Sequence, residues 1–382
     1  MLTFLGRMRE ITRKIVPAGV LSLLVLLFLP FWLLPAQAFG EPYLYEDIHP
    51  PGWNDSRVMS ISGRGEVVGY GTTASGARGF LWSSGRITEI LPPGADSAQA
   101  AWINEYGDIA GTFVTDGVSH AFLLRGATYL DPTPGWGWSE AAYVGEDGAV
   151  GGEGEFGAFV SRGGVVEVLP GFSAVVAGNA SGEIVGKGDG TARLYLPNQG
   201  YRDLTPPGAS SSSPRWINEN GRVAVNSRQS GVDRGFVFSD PFFITMTPPG
   251  WSSSNATAVN NLEMVAGYGD SPEGRRSFLR SGGAYEILSF PGWTATEAAA
   301  VNDLGQVAGS GTTATGETHA FVASPAGATA AQVAAPGLSG GCAMATRGPG
   351  GETPGSAATG LILVIPLLLL RGRRPGRQPT PR

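Results

Sequence analysis

The chain has 382 residues, 59 of them glycine and 28 proline, with one cysteine and a formal net charge of −6. Between positions 39 and 341 it holds 30 Asp/Glu against 16 Lys/Arg, an acidic balance that argues against nucleic acid and against an anionic membrane surface as partners. A single cysteine excludes an intrachain disulfide framework.

The chain opens with Arg7, Arg9, Arg13 and Lys14, followed by an apolar run over 15–34 and then Ala36-Gln37-Ala38. This order predicts a secretory signal peptide over 1–38, processed after Ala38, with the mature protein starting near Phe39. The apolar run is also long enough for an uncleaved anchor. Pro35 and the Ala-x-Ala triplet favour cleavage.

From Tyr43 onward one phrase recurs. Its fullest form is Val-Asn-Asp-Leu-Gly-Gln-Val-Ala-Gly over 301–309, with relatives starting at Ile61, Ile103, Val144, Gly178, Ile217 and Val259. A Pro-Gly step precedes each copy, at Gly52, Gly94, Gly135, Gly171, Gly208, Gly250 and Gly292. The spacings are 42, 41, 36, 37, 42 and 42 residues, the mark of a repeat architecture. Each unit reads as four short strands, a to d. In unit one these are 58–61, 66–70, 79–82 and 87–91. Asn104, Asn179, Asn218, Asn260 and Asn302 open the a–b turn, with Ser62 and Gly145 in the other two units. Three residues on come Gly65, Gly107, Gly148, Gly182, Gly221 and Gly305, suited to a left-handed turn position. Unit six has Glu263 there, which predicts strain. The polar stretches 70–78 and 269–276 read as long loops.

Four strands per unit predict an all-β fold, a seven-bladed β-propeller over 39–325. The last unit lacks strand d, and a surplus d-like segment, 43–48, stands before unit one. Pairing the two closes the ring and removes its sheet edges. The d–a and b–c connections then share one face, and the a–b and c–d turns the other.

Positions 326–341 are rich in Ala, Gly and Pro and read as a linker. The segment 342–382 begins at Cys342, carries an apolar stretch over 357–370 and ends in Arg371, Arg373 and Arg374. The stretch is short for a spanning helix, and its arginines would hold that end on the cytoplasmic side. Glycine pair, cysteine, short apolar run and basic tail resemble bacterial C-terminal sorting tags cut by a membrane protease. That resemblance implies a processing protease or sorting machinery as partner, Cys342 as a cleavage or lipidation point, and at least transient membrane attachment. A plain membrane anchor is the alternative.

Strand c carries His-Ala-Phe-Leu or a variant: His120-Ala121-Phe122-Leu123, His319-Ala320-Phe321-Val322 and Arg78-Gly79-Phe80-Leu81 among them. With the I/V-N-x-x-G-x-V-x-G phrase this resembles the bacterial HAF-type extracellular repeat family over about 43–324. The resemblance implies an exported repeat protein and supplies no catalytic residue.

The remaining motifs are weak. His120 and His319 share a repeat position in units that are not neighbours, and His49 has no evident partner. Gly152-x-Gly154-x-x-Gly157 lies between strands, not before a helix, so it is no dinucleotide fingerprint. Gly337-x-Ser339-x-Gly341 lies in linker and lacks the strand-to-helix turn of a hydrolase elbow. Hairpin carboxylates such as Glu105, Glu146, Glu219 and Asp303 recur with the repeat. Glu153 and Glu155 are too sparse for a calcium loop. No metal site and no cofactor is indicated. Trp53, Trp136, Trp251 and Trp293 each follow Pro-Gly on the loop-rich face, with Trp138 beside Trp136. They are candidate ligand-binding residues that could stack on sugars; packing inside the blades is the competing role.

The sequence thus predicts a non-catalytic exported propeller at the cell surface that binds glycans or surface proteins or structures the envelope. The alternative is a secreted polysaccharide-acting hydrolase or lyase with its site at the channel mouth. That would need unique polar residues that break the repeat on one face, and no converging set is apparent. Whatever distinguishes the protein lies where the repeat is broken.

Overall fold

A computed structural model describes residues 43–327. The predicted signal peptide with Ala38, most of the linker, and the C-terminal segment with Cys342 lie outside the described residues. Among the described residues no helix is long and apolar enough to cross a membrane.

The fold is a seven-bladed β-propeller: seven four-stranded antiparallel sheets. Blade one runs Arg57–Ile61, Val67–Thr73, Gly76–Ser83 and Arg86–Ile90, from the inner strand outward. The N-terminal strand Tyr43–Asp47 pairs with Thr318–Pro325 and supplies the outer strand of blade seven, as the strand count predicts. The segments 70–78 and 269–276 are not long loops. Strands b and c run on as paired ladder to tight turns, with Thr73 opposite Gly76 and Ser271 opposite Gly274. Their Gly and Thr residues disguise them. Gly69 and Gly71 face the inner strand so closely that a Cβ would stand 2.0 Å from the Arg57 carbonyl and 2.1 Å from that of Asp55.

Every inner strand is irregular at the same place. Its register slips by one residue, at Met59, Ala101, Ala142, Val176, Arg215, Thr257 and Ala299. Such a bulge bends the strand and re-aims a side chain. Here it turns one residue per blade toward the ring axis. Small polar groups on the preceding blade cap amides beside it. Ser310 Oγ accepts the Val58 N–H at 2.9 Å, Thr112 Oγ1 that of Ala141 at 3.2 Å, and Asn226 Oδ1 that of Ala256 at 2.8 Å. Blade four has Lys187 in this place, which offers no acceptor, and the residue facing it is Pro214, which has no N–H.

The a–b hairpins are linked around the other face. Each turn asparagine accepts amides of its own turn through Oδ1 and donates Nδ2 to the next blade. Asn104 reaches the Gly145 carbonyl at 2.9 Å, Asn179 that of Asn218 at 3.1 Å, and Asn218 that of Asn260 at 2.8 Å. Asn260 reaches Asn302 at 2.8 Å, and Asn302 reaches Ser62 at 3.0 Å. A second set runs back through the following residue. The amides of Gly63, Glu105, Ala180, Glu219 and Asn261 donate to Glu105, Glu146, Glu219, Asn261 and Asp303 in turn. Among the described residues, only the seam from blade three to blade four has neither link; Gly145 stands where an asparagine would. The turn glycines are left-handed, from φ 72° at Gly221 to 83° at Gly107, and Glu263 takes φ 62°, the strain its sequence predicts.

At the closure, the His49 and His319 rings stack with centroids 3.9 Å apart and planes 5° apart, so His49 does have a partner. His319 Nδ1 lies 2.8 Å from Asp47 Oδ2, on the strand that closes the ring.

Candidate functional site

The inner strands surround a cavity of about 510 Å³ that all seven blades line. Three positions per blade decide its chemistry: the bulge residue, which lines the chamber in every blade, and a cross-strand pair, which lines it in full in blades one, two, three and seven and through Tyr268 in blade six. The cross-strand pairs are Arg57–Tyr70, Gln99–Thr112, Glu140–Glu153, Ala174–Lys187, Ser213–Asn226, Asn255–Tyr268 and Glu297–Ser310. No two are alike. The hairpins repeat while the channel wall varies, so here the repeat is broken.

The floor is aromatic. Trp102 of blade two and Trp216 of blade five reach toward each other and stack, centroids 4.1 Å apart and 24° between planes. Tyr143 stands edge-on to Trp102 at 6.3 Å. Trp216 packs on core residues of blades seven and one, and Trp102 on those of blades three to five. Both indoles also line a second, smaller cavity of about 120 Å³ on the hairpin face. The stacked pair therefore divides the channel into two chambers. The sequence left a trace of this in Trp-Ile-Asn at 102–104 and 216–218, where four other units have Ser60, Ala177, Ala258 and Ala300.

The larger chamber is charged and uneven. Blade three contributes Glu140 and Glu153, directly opposite each other on paired strands. Partial burial, and then the Glu140 carboxylate, push the Glu153 carboxyl up, while Lys187 pulls the other way. Arg57 and Arg215 line the chamber from blades one and five, and neither makes an ion pair among the described residues. Glu297 of blade seven is already held by Arg275 at 2.8 Å. Blade four is apolar, with Val175 and Val176. Tyr268 has its hydroxyl pKa raised by burial and then by Glu297. A set of unique polar residues thus does converge at the channel mouth, contrary to the expectation from sequence. Long-range convergence is set by ring geometry, which residue spacing does not display.

The smaller chamber gathers Glu105, Glu146, Glu219 and Asp303. Burial in this narrow mouth, and then Glu105 and Glu219 nearby, push the Glu146 carboxyl up to about 7. Glu105 is raised for the same first reason. These carboxylates are occupied by the backbone links between hairpins.

Trp53, Trp136, Trp251 and Trp293 are half-buried and do not line either chamber. Each stands edge-on to the strand-c phenylalanine of its own blade. The pairs are Trp53–Phe80 at 6.1 Å, Trp136–Phe159 at 5.3 Å, Trp251–Phe278 at 5.8 Å and Trp293–Phe321 at 5.8 Å. This is a packing geometry repeated with the blade. Trp138 is more open, 41% exposed, as is Phe156 at 61%, on the loop-rich face of blade three. His120 packs beside Phe113 and does not meet His319.

No protein-family description matches the chain, and no characterised protein sequence does. Among solved structures it is similar to a streptogramin B lyase, with 13% identity and a TM-score of 0.47 over 73% of this chain and 97% of that one. A virginiamycin B lyase from Staphylococcus aureus gives 11% identity and a TM-score of 0.47 over 74% and 99% of the two chains. The extracellular domain of a one-component system from B. thetaiotaomicron gives 10% identity and a TM-score of 0.47 over 74% and 40%.

Proposed function

We propose that the protein is an exported, non-catalytic propeller that binds a small ligand in the larger channel chamber. One observation carries this: variation among the repeats concentrates on the wall of a chamber whose volume suits a small molecule. Export rests on the N-terminal basic, apolar and Ala-x-Ala series. The same reading has the C-terminal segment processed by an envelope protease at or near Cys342 after transient membrane attachment. The four Pro-Gly tryptophans serve packing in this reading, and glycan contact, if the ligand is a glycan, falls to the chamber residues. The test is a thermal-shift screen of glycans and small metabolites on the exported protein, repeated with Arg215→Met and Glu153→Gln. A ligand should raise the melting temperature of the parent and lose that effect in the variants. Ligands that stabilise both variants as well as the parent would place binding elsewhere and end the proposal.

The paired carboxylates favour a second reading. Glu140 and Glu153 face each other across one strand pair, and a pair of carboxyl groups is what glycoside hydrolysis uses. If the protein cleaves polysaccharide, release of reducing ends should vanish in Glu153→Gln; activity that survives this change would remove the enzyme reading.

A further inference from the structure

We infer that the channel ligand is a small zwitterion, with its cationic nitrogen between Glu140 and Glu153 and its acidic group toward Arg57 and Arg215; this rests on the channel-binding reading above. Two independent observations point there. First, Glu140 and Glu153 are like charges directly opposite on antiparallel strands, a destabilising arrangement. Neither makes an ion pair or accepts a side-chain hydrogen bond among the described residues. A bound ammonium or guanidinium relieves the repulsion.

Second, two guanidiniums stand in the same chamber without a carboxylate partner. Arginine is suited to gripping carboxylate or phosphate through paired N–H donors. The Arg215 bulge aims its side chain at the axis.

Lys187 on neighbouring blade four draws on Glu153 but forms an ion pair with neither carboxylate, and the two arginines stand farther off. Arg57 and Arg215 come from blades on either side of blade three, and each is two blades away from it. A simple cation satisfies only the carboxylates, and a simple anion only the arginines. One molecule carrying both charges satisfies both walls. Between them the chamber offers hydroxyl and amide groups from Tyr70, Gln99, Thr112 and Thr257, fit for a hydroxylated body. Because the indole stack closes the floor, the ligand enters and leaves by the mouth, which suits a free small molecule or a chain end.

The experiment is calorimetric titration of the exported protein at pH 6 with five probes. Glucose is neutral, glucosamine carries the cation alone, glucuronic acid the anion alone, muramic acid both, and alanine both without a ring. Muramic acid or alanine should bind at least tenfold more tightly than each of the three sugars lacking one charge or both. The pair Glu140→Gln/Glu153→Gln should reduce the favoured zwitterion to the level of glucuronic acid. The pair Arg57→Met/Arg215→Met should reduce it to that of glucosamine. Circular dichroism checks that both variants fold; these side chains line a solvent-filled chamber. Glucose or one singly charged sugar binding as tightly as the zwitterions, and weakened by either double variant, overturns the zwitterion and leaves channel binding standing. No binding of any probe, with no channel-dependent hit in the wider screen, overturns both.

Discussion

Asn302 shows how much of the ring rests on single side chains. It is 5% exposed, and its one amide group serves four partners. Nδ2 donates to the Ser62 carbonyl of blade one and to Gln306 Oε1, while Oδ1 accepts from Leu304 and Gln306 N–H. Asn302→Ala would strand two turn amides and remove the inter-blade bond to the Ser62 carbonyl, which keeps the Gly65 N–H as its one donor. An unsatisfied buried group costs about 1–3 kcal/mol, so the expected loss is about 2–4 kcal/mol in urea unfolding. A loss under about 0.5 kcal/mol would mean that water replaces the amide without penalty. Trp251 poses a different question at the same scale. Its indole stands edge-on to Phe278, and truncation leaves a gap beside the blade core. Large aromatic-to-alanine changes in full cores cost about 3–5 kcal/mol; for this half-buried ring about 2–3 kcal/mol is expected. Trp251→Ala that keeps full stability and instead abolishes glycan binding would return these tryptophans to the role of ligand residues.

The hairpin is the element that couples blades, and its defect is as informative as its rule. Six seams carry an asparagine link, a carboxylate or amide link, or both. The seam from blade three to four carries neither, because Gly145 has no side chain to donate. Its φ is not in the left-handed region, so an asparagine fits the backbone. A Cβ there meets only Asp147 Oδ1, at 2.8 Å, the movable end of a flexible side chain. Gly145→Asn should therefore build the missing link to the Asn179 carbonyl and also restrict the unfolded chain. Together these should add about 1 kcal/mol. In native-state hydrogen exchange the parent should open first at this seam, and the variant should slow exchange there and not elsewhere. Faster exchange at 145–149 in the variant would show that the turn cannot accommodate the side chain. This element was also the most legible in the sequence, since Asn-x-x-Gly encodes a local turn through local hydrogen bonds. The bulge beside it was not legible. It depends on how far each inner strand must bend around the axis, and neither Met59 nor Arg215 signals that locally. The strand extensions through 70–78 were hidden for a related reason: their glycines answer to a neighbouring carbonyl, not to a turn.

At the scale of the whole ring, the count of strands in the sequence was enough to foresee closure, because an absent outer strand and a surplus first strand are complementary. What it could not supply was the contents of the channel, where residues 57, 140 and 215 meet only because seven blades form a circle. Closure also gives the ring two opposed responses to pH. His49 Nε2 lies 3.1 Å from the Trp53 carbonyl, which can only accept, so Nε2 carries a proton. Ser56 Oγ already accepts the Ala320 N–H at 2.9 Å and has its own proton to give to His49 Nδ1, also 2.9 Å away. That arrangement suits a neutral imidazole. Burial, and then the stacked His319, lower the His49 pKa from 6.5, with Asp47 and Glu317 opposing. A lowered folded value means a contribution to stability that is present above pH 6.5 and lost as pH falls through the folded pKa. Glu146 has the reverse sign. Its carboxyl rises from 4.5 to about 7, so its contribution is present below pH 4.5 and lost as pH climbs through about 7. Melting temperature plotted against pH should fall on both flanks. Relative to the parent, His49→Gln should flatten the acid flank, because glutamine can donate and accept at the same two partners without gaining charge. Glu146→Gln should flatten the alkaline flank and still accept from Glu105. The two effects should add in the double variant, since the closure and the blade-three hairpin share no partner. An acid flank unchanged by His49→Gln would mean that the stacked pair is not what opens the ring, and an alkaline flank unchanged by Glu146→Gln would clear the hairpin carboxylates of the same charge.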